Sequence, residues 1–259
     1  MTLGTAALAL FIAGTAPVNA ERVSPMSTVA PASSLVSDQS RAKALESGLD
    51  LRRVSTQPGV HIVPLDASPY TGELAARIRR DVQMQAEQGS FLSSEAPASN
   101  ARASGSPART RIDRWLDKTY PSIELARPSL RYEPVSVSRT SLAAVRLSEV
   151  YPSGKLHEGL WSGVTRVWSV AGLGYVQLSE AEHRESGTSI TLIREWLNTE
   201  VAGFPATLKT ARDSTGGAVV SIAWVTDTTS YKLELRPLDA SAIKANEAWI
   251  MEVANNIGH

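Results

Sequence analysis

From about Ser129 to Arg236 the apolar side chains recur at every second residue, and this period constrains the fold more than any other feature of the chain. A period of two puts alternate residues on opposite faces of a strand, whereas a helix needs spacings of three and four. The segments that carry it are Leu130–Ser138, Leu142–Tyr151, Gly159–Val170, Gly174–Leu178, Ser189–Leu197, Ala206–Arg212, Ala218–Val225 and Tyr231–Arg236. Turn residues separate them: Pro152-Ser153-Gly154, Gly172-Leu173-Gly174, Ser186-Gly187, Gly216-Gly217 and Asp227-Thr228-Thr229. No strand–helix–strand alternation occurs, so an antiparallel meander is expected rather than a doubly wound parallel sheet.

Within this run, Val219, Ser221, Ala223 and Val225 share one face of a strand and Val220, Ile222 and Trp224 the other. Two apolar faces suit a central strand. Opposite it, Ala206, Leu208 and, less clearly, Thr210 form the apolar side of the preceding strand, across a turn at Asp213–Gly217. The following strand alternates cleanly: Tyr231, Leu233 and Leu235 point inward, and Lys232, Glu234 and Arg236 toward water. The chain closes on a helix with Ile243, Ile250, Val253 and Ile257 on one stripe and Trp249 beside it. Asp239 is placed to cap it and Gly258 to stop it. The expected fold class is α+β: a curved antiparallel sheet with a C-terminal helix packed on it, preceded by a partly disordered helical N-terminal region.

The first twenty residues carry no charge, and Ala6–Ala13 is apolar but shorter than the roughly 20 residues a bilayer crossing needs. Val18 and Ala20 stand at the −3 and −1 positions of a signal-peptide cleavage site, so 1–20 reads as a signal peptide cut after Ala20, although no Lys or Arg precedes the apolar run. The mature chain is then periplasmic or secreted, without an integral membrane segment. Residues 21–92 form a leader, partly disordered at 21–38, with helices expected at Ser40–Val54 and Thr71–Gln88 and an extended piece over 60–65. Leu74, Ile78, Val82 and Gln85 make one stripe of the second helix. Residues 93–109 are Ser, Ala, Pro or Gly at thirteen of seventeen positions and read as a flexible linker. The α+β domain occupies 110–259 and opens on a short helix with Ile112, Trp115 and Leu116 on one side.

From Val201 to Ala254 the order of residues resembles a known domain. Val201, Gly203, Pro205, Ala206 and Leu208 precede the glycine turn; Trp224, Tyr231, Leu233 and Leu235 follow it, then Ile250 and Ala254 in the helix. This resembles the C-terminal half of an extracytoplasmic domain family without a settled biochemical function, found in bacterial envelope proteins and on the outer ends of some anti-sigma factors. Its layout is similar to the curved-sheet carriers of lipoprotein traffic. The resemblance implies the fold and an extracytoplasmic compartment. The chain departs from the anti-sigma pattern: it has no internal transmembrane segment and no sigma-binding region.

Chemistry is sparse. There is no Cys, which removes disulfides, thiolate metal sites and a cysteine nucleophile. Lys plus Arg and Asp plus Glu are both 26, so no polyanion or nucleic-acid partner is implied. Glu180-Ala181-Glu182-His183-Arg184-Glu185 is the densest group of possible ligands, yet it lacks a second His at a helical offset; it reads as a solvated loop, and no metal is assigned. Ser40-Arg41-Ala42-Lys43 lacks the companion motifs of the penicillin-recognising enzymes, Lys209-Thr210-Ala211 having Ala where Gly is needed. Gly172-Leu173-Gly174 is a turn and not a phosphate loop. His61, His157, His183 and His259 are scattered. No catalytic residue and no cofactor is named.

The tryptophans are the remaining signal, with six Trp beside three Phe. Trp161 and Trp168 differ by seven, so on a regular strand they face opposite sides, Trp168 with Leu160, Val164 and Val170, and Trp161 with Val167. Trp161, Trp168, Trp196 and Trp224, with Arg166 and Arg194 beside them, are the candidate ligand-binding residues, lining or underpinning a space between sheet and helix. The primary expectation is an exported bacterial envelope protein, a non-enzymatic binding module for a hydrophobic small molecule, lipid or protein partner. The alternative is a structural component of an envelope or secretion complex that docks through its N-terminal helices. A hydrolase comes third.

Overall fold

The computed structural model describes residues 48–55, 57–92, 119–214 and 216–258. The signal peptide, the 21–38 leader, most of the first expected helix, the 93–109 linker and the Ile112–Leu116 helix lie outside the described residues. The fold is α+β. An open eight-stranded, mostly antiparallel sheet carries one C-terminal helix.

The strands are β1 (Gly59–Val63), β2 (Phe91–Leu92), β3 (Leu147–His157), β4 (Leu160–Val170), β5 (Gly174–Glu182), β6 (Ser189–Ile193), β7 (Thr199–Val201), β8 (Phe204–Arg212), β9 (Ala218–Val225) and β10 (Thr229–Pro237). The helices are α1 (Gly72–Gln88), the one-turn α2 (Ile123–Ala126) and α3 (Ile243–Asn256). The large sheet runs β2-β8-β9-β10-β5-β4-β3, with β7 also on β8, and β1 pairs with β6 in a separate parallel ribbon. As its two apolar faces require, β9 is central, between β8 and β10.

Register lines up one face of the sheet. Ala206, Trp224, Tyr231, Glu180 and Val164 form one row across β8, β9, β10, β5 and β4; Leu208, Ile222, Leu233, Leu178 and Arg166 form the next. Ile250, Val253 and Ala254 of α3, with Ile257 beyond it, pack on this face and are fully buried with Trp168, Trp224 and Leu233. Burying such side chains stabilises by about 1.5–3 kcal/mol each, so this interface is the main core. The N-terminal segment packs elsewhere. Ile78 and Val82 of α1 meet Leu65, Ile193, Trp196 and Phe91 in a second cluster. Gly89 ends α1 with a φ of 70°, the left-handed cap that glycine supplies without strain.

The outer edge of β8 is sealed along its length. β7 covers Phe204–Ala206 and β2 covers Ala211 and Arg212. Between them the Asn198 side chain donates to Leu208 O at 2.9 Å and accepts from Leu208 N at 2.8 Å. Gln85 Oε1 of α1 accepts from Thr210 N at 2.9 Å. Two side-chain amides thus do the work of a missing strand at Leu208 and Thr210.

Several expectations change. Leu130–Ser138 is not a strand but a strap, touching the sheet at the Leu130–Trp161 bridge. Pro134 has no N–H for a ladder, and the backbone of Val135 is instead satisfied by side chains described below. The Pro152-Ser153-Gly154 turn is absent: β3 runs through it, absorbing the extra residues as a register shift between Ser153 and Leu156. The chain reverses at Glu158-Gly159 instead, both at positive φ. Ser189–Leu197 is a strand only to Ile193 and then a 3₁₀ turn. Residues 48–54 form no α-helix, only a 3₁₀ turn at Leu51–Arg53. Asp239 does not cap α3, which starts at Ile243; its carboxylate accepts from Ser241 N and Oγ one turn earlier.

Candidate functional site

Two groups of polar side chains stand on opposite faces of the sheet. The first faces α3 and is internal. Arg166 and Glu180 are diagonal neighbours on β4 and β5, and their side chains meet at 2.6 Å, both essentially without solvent contact. Arg166 Nη2 also donates to Val135 O at 2.8 Å, and Val135 N donates to Glu180 Oε2 at 2.9 Å. The pair therefore holds both backbone groups of one residue in the strap. Tyr132 adds an O–H donated to Glu180 O at 3.4 Å. Burial pushes the Glu180 carboxyl above its usual range, opposed by the charge of Arg166. Burial likewise pushes the Tyr132 phenol up.

The second group lies on the outer face. There Thr207, Lys209 and Ala211 of β8 alternate with the inward residues, and register sets Ser221, Glu234 and Gln177 in one row with Lys209. Lys232 and Glu234 pair at 3.0 Å, and Thr165 and Ser179 hydroxyls meet at 3.2 Å. Lys232 and Glu234 were expected to face water; they are half-buried and paired with each other. At the β8 end Trp196 of the 3₁₀ turn lies against Phe91, ring centroids 5.7 Å apart, and the Lys209 ammonium sits 3.7 Å from the Trp196 ring centroid. Enclosure, reinforced by the like charge of Lys232 and opposed by Asp81 of α1, pulls the Lys209 amine down to about 7.

The expected ligand-binding residues are not gathered in one place. Trp168 and Trp224 are buried in the main core, Trp224 stacked on Tyr231 at 5.0 Å. Trp196 belongs to the cluster under α1, and Arg194, in the same turn, is exposed. Trp161 is half-buried in a third cluster with Leu130, Val150 and Val164. It packs with Val164 and not Val167, because it lies beyond the β3 register shift, where simple alternation no longer holds. Arg166 lies against Trp168, its guanidinium carbon 5.8 Å from the ring centroid, and serves the strap.

The Glu180–Glu185 group is not a solvated loop. Glu180 and Glu182 end β5; Glu182 accepts from the N–H groups of Glu185 and Ser186. His183 is buried with Nε2 at 3.1 Å from Thr226 O. Among the described residues no group of three His, Asp or Glu side chains is placed to hold a metal ion. Sequence reading missed Lys209 as a site residue. The usable signal was its place on the outer face of a strand whose other face carries the core. Its partner Trp196 is set by a turn that alternation does not predict.

No family model matches the chain, and no match was found among curated proteins or solved structures.

Proposed function

We propose that the chain is an exported bacterial envelope protein and a non-enzymatic binding module whose ligand is an extended segment of a protein partner, laid along β1. One contrast carries this reading. The β8 edge of the large sheet is sealed, whereas among the described residues β1 pairs on one side only, with β6. Its alternate side chains Val60 and Ile62 are apolar and 39% and 42% exposed. An edge strand with apolar outward residues gives backbone hydrogen bonds for affinity and side-chain contacts for selectivity. Among the described residues no helix is long and apolar enough to cross a membrane. The uncharged, small-residue-ended 1–20 segment supports export.

One feature weighs against carriage of a lipid between sheet and helix, and another against docking through the N-terminal helix α1. That interface is filled by the protein's own Trp168, Trp224, Leu233 and Ile250, and the apolar stripe of α1 packs on Trp196 and Ile193. A photo-crosslinking residue at position 62, introduced in the native envelope, should capture a defined protein partner. Val60→Lys should abolish the capture without altering the far-UV spectrum. A co-purifying lipid in native mass spectrometry, with no crosslink at position 62, would replace this reading by carriage.

A further inference from the structure

The open edge of β1 is bounded by prolines. Gly59 N donates to Thr188 O at 3.2 Å, and Gly59 stands opposite Ser189 in the parallel pair. Successive strand residues point their backbone groups to opposite sides. Gly59, His61 and Val63 therefore face β6, and Val60 and Ile62 turn both N–H and C=O away from it. Among the described residues no strand pairs with that side. The next positions of the same parity are Pro58 and Pro64, which have no N–H to offer. Pro64 is still extended, at φ −65° and ψ 154°, so the alternation holds through it. The donors of this edge are thus confined to Val60 and Ile62, on either side of His61.

Such an edge is its own complement. A second copy turned about a twofold axis at His61 runs antiparallel and sets Val60 opposite Ile62 of the second copy, and Ile62 opposite its Val60. Each outward N–H then meets an outward C=O, and the exposed Val60 and Ile62 side chains lie against each other. Pro58 falls opposite Pro64, so neither copy brings a donor that goes unused. An unrelated segment that continues past the edge leaves its own C=O groups facing prolines. We propose that the segment laid along β1 is the β1 strand of a second copy, which makes the protein a twofold dimer. This rests on β1 being the binding edge and names its occupant. The contact consumes the same edge on both copies, so the assembly closes at two.

The twofold axis sets the two His61 residues opposite each other without backbone bonds between them, their Cα atoms about 4.5 Å apart. That is within the roughly 4.4–6.8 Å span of a disulfide. The chain has no Cys, so one introduced thiol reports on one contact. In the purified mature protein under a glutathione redox buffer, His61→Cys should form a disulfide-linked dimer at least about tenfold faster than Leu238→Cys. Random collision favours the reverse order, since Leu238 is 69% exposed and His61 is half-buried. Val63→Cys, which the axis sets opposite Gly59, should stay near the Leu238→Cys rate. Ile62→Pro removes one outward donor and keeps the bonds to β6. It should abolish the dimer seen by native mass spectrometry without altering the far-UV spectrum, and should slow His61→Cys to the Leu238→Cys rate. A His61→Cys rate no faster than that of Leu238→Cys would overturn the dimer. If the crosslinking residue at position 62 then captures a different protein in the envelope, β1 is a binding edge with another occupant. If it captures nothing, the binding edge falls with the dimer.

Discussion

Asn198 and Leu208 are paired as two strand residues are paired, although only Leu208 belongs to a strand. The Asn198 amide donates to Leu208 O at 2.9 Å and accepts from Leu208 N at 2.8 Å. Asn198→Ala should therefore lose two bonds at once. Each net bond is worth about 0.5–1.5 kcal/mol, so a loss of about 1–2 kcal/mol is expected in urea unfolding, the site being exposed. Asn198→Asp keeps the acceptor, loses the donor and opposes Leu208 O with a like partial charge. It should rescue little, and full rescue by Asp would refute the pairing.

The Arg166–Glu180 pair predicts a specific pattern of non-additivity. Glu180→Ala leaves a buried guanidinium without its partner and Val135 N without an acceptor, and should cost about 3–5 kcal/mol. Arg166→Met combined with Glu180→Leu removes both charges and should cost clearly less than the two single changes added together. Additive losses in a double-mutant cycle would show that the two side chains do not act as a unit.

Lys209 also predicts a pH dependence. Its amine is near 7 in the folded protein and near the ordinary 10.5 when unfolded. Between those values the unfolded chain binds more protons, so this group makes stability rise with pH. Below the folded value both states are protonated, and the whole cost of enclosing the ammonium remains. Lys209→Met should thus gain most, relative to the unchanged protein, at about pH 6, and its advantage should shrink by about pH 9. Urea midpoints of the two proteins over this range test the sign.

Two hairpins carry a non-glycine residue in the left-handed region, Glu158 at φ 52° and Ala202 at φ 49°. Ala202 starts the two-residue turn between Val201 and Phe204. Asn tolerates this conformation better than Ala. Ala202→Asn should raise stability by about 0.5–1 kcal/mol, read as a higher thermal midpoint. At Gly174 the opposite holds: φ is 137°, and an added Cβ would run into the carbonyl of Arg236 across the strand pair. Gly174→Ala should be among the most disruptive small substitutions in the sheet.

The sheet and its helix were legible where one rule governs: β9, β10 and α3 follow from alternation or a three-four stripe, and so does α1, down to Gln85 on its stripe. What was not legible depends on partners distant in sequence. The strap at 130–137 has strand-like alternation, but Pro134 and the Arg166–Glu180 pair decide its conformation. β2 and β7 are too short to show a period, and their pairing is fixed by β8. The tryptophans were expected to line or underpin one space, and Trp168 and Trp224 are instead buried in the main core. Their expected convergence failed because Trp196 and Trp161 belong to separate clusters. Lys209 was invisible because its character comes from Trp196 and Lys232, on other elements.

The cover on β8 has a consequence for how the chain reaches its native state. Gln85 meets Thr210 across 125 positions of sequence, and Glu195 accepts from Leu65 N across 130. Contacts of such span close late, since the intervening loop loses its entropy first. The segment made first is therefore the last to be fixed, and until it docks β8 keeps a bare edge over Thr210–Arg212, able to pair with another chain. In pulsed hydrogen exchange during refolding, the amides of Leu65 and Thr210 should gain protection after those of β9 and β10. Simultaneous protection would mean that the N-terminal segment helps to nucleate the sheet instead of closing it.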